Sequence, residues 1–118
     1  MRLLALPGGA SEHALATPQD ADDFEQELVD QYALAMVAAG LSDAHVRNSR
    51  AIVIEFARSM TGPLWAATCQ DADRYLAEQR RLGRSVSTRA GKAGTLAVFY
   101  DFVIDRYEGS IRRATGVQ

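Results

Sequence analysis

Ser85-Val86-Ser87-Thr88-Arg89-Ala90-Gly91-Lys92-Ala93-Gly94-Thr95-Leu96-Ala97-Val98-Phe99-Tyr100-Asp101-Phe102-Val103-Ile104-Asp105-Arg106-Tyr107 decides the fold class. Its large apolar residues Leu96, Phe99, Tyr100, Val103 and Tyr107 recur at three- and four-residue spacing, which gathers them on one arc of a helix. A strand would scatter the same residues over both faces. On the same wheel Gly91 and Gly94 join Ser87, Thr95 and Val98 in a face without bulk, at a cost of about 1 kcal/mol per glycine relative to alanine. Such a face admits another backbone, from a neighbouring helix or from a nucleic-acid strand. Arg89 projects onto the arc of Leu96, so either it lies beyond the end of the core or the helix starts later than Ser85.

Working outward, each remaining segment reads as a punctuated helix. Thr17-Pro18-Gln19-Asp20 combines an N-cap, a proline at the first helical position and acids in the first turn. The helix it opens should run to about Ala39, with Phe24, Leu28, Ala35 and Ala38 near one face and Gly40 as its stop. Ser42 caps a second helix to about Met60, where Gly62 permits the exit and Pro63 forbids continuation. Its buried arc should hold Val46, Ser49, Ile52, Val53, Phe56 and Met60, while Arg47, Arg50 and Arg58 share a flank that carries no acid. The Trp65 region is a connector. Thr68-Cys69-Gln70-Asp71 has the form of a capping box for a third helix, with Ala72, Tyr75, Leu76 and Gln79, ending at Gly83. With no alternating strand pattern and no internal repeat, the expected fold is all-α: a compact bundle of four principal helices of about 22, 18, 14 and 20 residues.

At 118 residues, 47% hydrophobic and 24% charged, the chain has the size and composition of one ordinary globular domain. The formal charge of −2 argues against a nucleic-acid partner until it is resolved along the chain. Residues 1–46 hold eight acids and one base, −7; residues 47–118 hold twelve bases and seven acids, +5. Between Gln79 and Gly94, Arg80, Arg81, Arg84, Arg89 and Lys92 stand with no acid among them. That asymmetry describes either a solvated face or a surface for a polyanion.

Single Cys69 rules out an internal disulfide and a multi-cysteine metal site, which points to a reducing, cytoplasmic setting; as a lone cysteine it is expected to be buried. The apolar start of the chain breaks at Pro7-Gly8-Gly9, too early for a signal peptide, and no window approaches a membrane span. Only His13 and His45 offer imidazole, neither in a catalytic or metal-binding spacing, and there is no phosphate-binding loop. No catalytic residue, metal or cofactor is expected. A small helical enzyme is disfavoured because no base stands beside a nucleophile.

From Tyr32 to Tyr107 the order of segments resembles the N-terminal core-binding domain of the tyrosine recombinases, the phage integrase family. The matching residues are Gly40-Leu41-Ser42, Phe56, Pro63-Leu64, Asp71-Ala72-Asp73-Arg74-Tyr75-Leu76, Arg81-Leu82-Gly83-Arg84-Ser85-Val86-Ser87-Thr88 and Leu96-Ala97-Val98-Phe99-Tyr100-Asp101-Phe102. Two positions depart from the family pattern: His45 where Thr is common and Ser49 where an aromatic is common. The resemblance implies a SAM-like four-helix bundle forming half of a clamp on double-stranded DNA, with its second and fourth helices toward the duplex. It also implies a separate C-terminal catalytic domain, none of which lies in these residues, and association with other recombinase protomers.

On that basis residues 1–16 are a leader, 17–108 the helical core-binding domain and 109–118 the start of a linker. The implied DNA-facing residues are Arg47, Asn48, Arg50, Arg84, Ser87, Thr88, Arg89 and Lys92. About five phosphate contacts would give a salt slope near −4.5 and a weak, non-specific affinity of about 10⁻⁴ to 10⁻⁶ M. The rival expectation is a helical protein-interaction domain, using the acidic first helix or the glycine face, with ordinary surface arginines.

Overall fold

A computed structural model describes residues 17–115, with side chains through Tyr107. The expected leader over residues 1–16, His13 included, lies outside the described residues. Four α-helices, α1 (Pro18–Ala38), α2 (Asp43–Ser59), α3 (Cys69–Arg81) and α4 (Val86–Thr115), form a bundle, with a short 3-10 turn at Leu64–Ala66. Among the described residues there is no strand, and the expected all-α four-helix architecture is the one observed.

Local chemistry sets the helix ends. Thr17, Ser42, Thr68 and Ser85 each accept a hydrogen bond from a backbone N–H three residues on, at Asp20, His45, Asp71 and Thr88. Thr68 and Asp71 close a full capping box, the Asp71 carboxylate accepting from the Thr68 N–H at 2.8 Å. α1 and α3 both end in a left-handed glycine, Gly40 at φ 86° and Gly83 at φ 85°. The paired bonds around them, Gly40 N–H to Val37 and Leu41 N–H to Met36, then Gly83 N–H to Arg80 and Arg84 N–H to Gln79, are Schellman closures. α2 stops differently from expectation. Gly62 is not left-handed; Met60 turns extended, at φ −90° and ψ 150°, and Pro63 precludes a return to helix.

α4 is longer than the expected 20 residues, at 30. Its periodic apolar face is used up at Tyr107, but no proline follows, and Gly109 alone lowers helix propensity without preventing helix. Residues 109–115, expected to begin a linker, thus continue the helix.

The core is aromatic along its length. Tyr32 of α1 meets Phe99 of α4 at 5.1 Å between ring centroids, and Phe24 meets Tyr107 at 6.4 Å, so α1 and α4 run antiparallel. Phe56 of α2, fully buried, packs edge-on against Tyr75 of α3 and Tyr100 of α4. Ser49, Ile52, Val53 and Phe56 are buried and Val46 and Met60 half-buried, the arc the sequence predicts for α2. The Tyr107 hydroxyl is buried with no hydrogen-bond partner among the described residues. Burial raises the phenols of Tyr75, Tyr100 and Tyr107 far above their ordinary value of 10.0.

One connector residue ties two of these helices together. Leu64 is 1% exposed. Its N–H donates to the Glu25 carboxylate of α1 at 2.5 Å, and its carbonyl accepts from the Tyr100 hydroxyl of α4 at 2.7 Å. Next to it, Trp65 packs against Phe24 at 5.0 Å. What the sequence presents as a linker is therefore part of the core. Leu64→Ala should lower unfolding free energy by about 2–5 kcal/mol, the cost of a large-to-small change in a closed core, as read by urea denaturation. A loss below about 0.5 kcal/mol, the range of ordinary surface positions, would show that the segment is dispensable.

Candidate nucleic-acid interface

The residues implied as DNA-facing separate into three groups once their partners are known. Arg47 and Asn48, on the first turns of α2, are exposed and make no side-chain hydrogen bond or ion pair among the described residues. Arg84, Ser87 and Thr88 are exposed at the α3–α4 turn, where the Ser85 hydroxyl donates to Thr88 Oγ1 at 3.0 Å. Arg89 is half-buried and its Nε donates to the Arg84 carbonyl at 3.2 Å. Of the two alternatives for Arg89, the first holds: the helix starts at Val86, and Arg89 lies past the end of the core, folded back on the turn.

Two cations depart from expectation. Arg50 donates to Asp30 of α1 at 2.8 Å, so the flank expected to be free of acid has one supplied from the neighbouring helix. Both side chains remain well exposed, and such a pair is worth only about 0.2–1 kcal/mol. Lys92 is only 14% exposed. Its ammonium donates to Glu55 of α2 at 2.8 Å and to Gln79 of α3 at 2.6 Å, and stands 5.9 Å from the centre of the Tyr75 ring. The Tyr75 hydroxyl donates to the same Glu55 oxygen. Lys92 is thus a tether between three helices.

Glu55, Tyr75 and Gln79 are residues that sequence reasoning missed. The available signal was Glu55 itself, the one acid between Asp43 and Asp71. Gln79 works twice: its backbone carbonyl takes the Arg84 N–H at 3.0 Å while its buried side chain takes Lys92. The turn that carries Arg84 is consequently held at both of that residue's peptide groups, by Gln79 and by Arg89.

α2 and α4 both run opposite to α1, and Glu55 of α2 meets Lys92 of α4 between them. From that contact, Arg47 lies about 12 Å back from Glu55 along α2, and Ser87 about 7.5 Å back from Lys92 along α4, at about 1.5 Å per residue. Ser87 and Thr88 sit on the first turn of α4, where the partial positive charge of the helix favours an anion, while Arg47 lies on the second turn of α2. Arrangement and charge suit contact with phosphates.

The bulk-free face of α4 is open. A methyl group added at Gly91 or Gly94 would meet nothing within 4 Å, and Ser87 and Val98 beside them are exposed. No helix among the described residues fills it, which removes the intramolecular alternative. Cys69, expected to be buried, is exposed at the first position of α3, between exposed Thr68 and Gln70 on the outer side of the capped turn. No group of His, Cys, Asp and Glu among the described residues could hold a metal, and no described helix is long and apolar enough to cross a membrane. Neither a family model, a curated protein nor a solved structure matches the chain.

Because the glycine face is unoccupied, Gly91→Ala and Gly94→Ala should each raise stability by about 0.5–1 kcal/mol through helix propensity and the unfolded-state entropy. A lower melting temperature in either variant would reveal a packing role for the glycine. Acid should loosen the three-helix tether. Hydrogen bonds from Lys92, and then Tyr75, hold the Glu55 carboxyl below its ordinary 4.5. A group depressed in this way stabilises the fold fully above the unfolded value and loses that contribution as pH falls through the folded one. The melting temperature should therefore fall as pH drops below about 4.5, and fall less steeply in Glu55→Gln. Parallel descents in the two chains would exclude Glu55 as a source.

Proposed function

We propose that this chain is a DNA-binding module of a site-specific tyrosine recombinase of the phage integrase type, clamping duplex DNA without catalysing strand exchange itself. The observation that carries this is the pair of exposed arginines, Arg47 in the N-terminal half of α2 and Arg84 in the turn that leads into α4, each without an ion-pair partner among the described residues. Asn48, Ser87 and Thr88 add exposed polar donors beside them. Cations supply affinity through phosphate, and neutral donors fix register on the backbone or read base edges. The four-helix bundle agrees with the fold that the resemblance implies. Raised affinity would come from tethering to a catalytic domain and from neighbouring recombinase protomers in a cytoplasmic assembly.

A second reading, a helical protein-interaction domain, has its own support. Leu34, Val37 and Leu41 are 59%, 55% and 41% exposed at the C-terminal end of α1. Three large apolar side chains on one exposed surface suit a partner chain better than a polyanion.

Titration of a labelled duplex separates the two. With Arg50 paired to Asp30 and Lys92 held by Glu55 and Gln79, three of the implied cations, Arg47, Arg84 and Arg89, are left for phosphate. The slope of log affinity against log salt should then be about −2.7, about a 40-fold loss between ~50 and ~200 mM salt. Arg47→Ala/Arg84→Ala should bind more weakly and bring the slope to about −0.9. Equal binding by both chains would remove this surface from consideration, and no binding at ~50 mM salt would favour the protein-interaction reading.

A further inference from the structure

We propose that Lys92 and Glu55 form a positioning lock for the DNA-binding turn, so that binding of a polyanion depends on an acidic residue that never touches it. This rests on the DNA-binding reading and deepens it. By charge alone the expectation is the reverse: Lys92 should contact phosphate, and Glu55 should repel it.

Geometry reverses both roles. Lys92 spends its ammonium on Glu55 Oε1 at 2.8 Å and Gln79 Oε1 at 2.6 Å, against the face of Tyr75, and only 14% of its side chain is exposed. To reach a phosphate it would have to break both bonds and leave Gln79, which is 4% exposed, with an unpaired side-chain carbonyl. Glu55 gathers two donors from two helices, Tyr75 of α3 and Lys92 of α4. Lys92 lies on the second turn of α4, directly behind Ser87, Thr88 and Arg89. The same Gln79 that receives Lys92 holds the Arg84 N–H. Orientation of the turn and of the first helical residues after it is therefore set through one small cluster, in which Glu55 is the sole acid.

Glu55→Gln supplies the discriminating measurement, since it deletes a negative charge and loosens the lock at once. In the full chain, binding of a short mixed-sequence duplex should weaken about fivefold, the equivalent of a pairwise coupling of about 1 kcal/mol. Its salt slope should stay that of the wild type. Lys92→Met should also weaken binding with no change in slope, whereas loss of a true phosphate contact reduces the slope by about 0.9. Without DNA, the backbone amide resonances of Ser87, Thr88 and Arg89 should shift in Glu55→Gln. Tighter binding by Glu55→Gln, or a reduced slope in Lys92→Met, would overturn the lock. So would unmoved amide resonances, a result that stands even if the wild type fails to bind duplex and the DNA-binding reading falls with it.

Discussion

The bundle depends on the peptide of Leu64. Between α2 and α3 the chain leaves helix for a few residues, and there its backbone polar groups must be satisfied by something other than a helical ladder. Glu25 and Tyr100 do this from opposite sides, one accepting from the Leu64 N–H and the other donating to its carbonyl. The side chain between them enters the core at 1% exposure. With one residue, α1 and α4 are joined to the connector, and the exit direction of α2 is set. Phe24, Trp65 and Tyr107 then close that end of the molecule around it.

At the other junction a polar cluster does comparable work. Glu55, Tyr75, Gln79 and Lys92 come from three helices and satisfy one another, which makes the crossing of α2 and α4 specific in a way that apolar contact alone would not. The two junctions divide the labour: one is anchored by a buried peptide, the other by side chains, of which Tyr75 and Gln79 are buried, Lys92 nearly so and Glu55 about half exposed. The candidate interface is built on the second.

What was legible in the sequence was local. Thr68 and Asp71 announce their own capping box, Gly40 and Gly83 their own left-handed stops, and the period of Leu96, Phe99, Val103 and Tyr107 its own helix, because each is decided within a turn or two of chain. The partners of the cations were not legible. Asp30 and Arg50 are 20 residues apart, Glu55 and Lys92 37, and whether they meet depends on how helices cross, which no periodicity encodes. Lys92 therefore looked like a free base in a run of bases. Leu64 misled for a related reason: after Gly62-Pro63 the chain reads as connector, and only the packed structure shows that the connector passes through the core. The end of α4 was misjudged because its apolar face stops at Tyr107 while its backbone does not.

Five bases without an acid between Gln79 and Gly94 ought to repel one another, and the ends of two helices bear on the cost. Arg80 and Arg81 occupy the last turn of α3, where the helix end carries partial negative charge, and the Gln79 and Arg80 carbonyls accept from the Arg84 and Gly83 N–H groups of the turn that follows. Acids outside the run neutralise two of the five, Glu78 pairing with Arg81 and Glu55 with Lys92, and the helix end adds partial negative charge beside Arg80. Arg80, Arg84 and Arg89 have no ion pair among the described residues, so the positive field of the segment toward solvent comes from these three. A glycine stop at Gly83 makes this possible, because it turns the chain sharply enough to set the start of α4 against the end of α3. The same left-handed residue that ends one helix thereby concentrates the charge presented by the next.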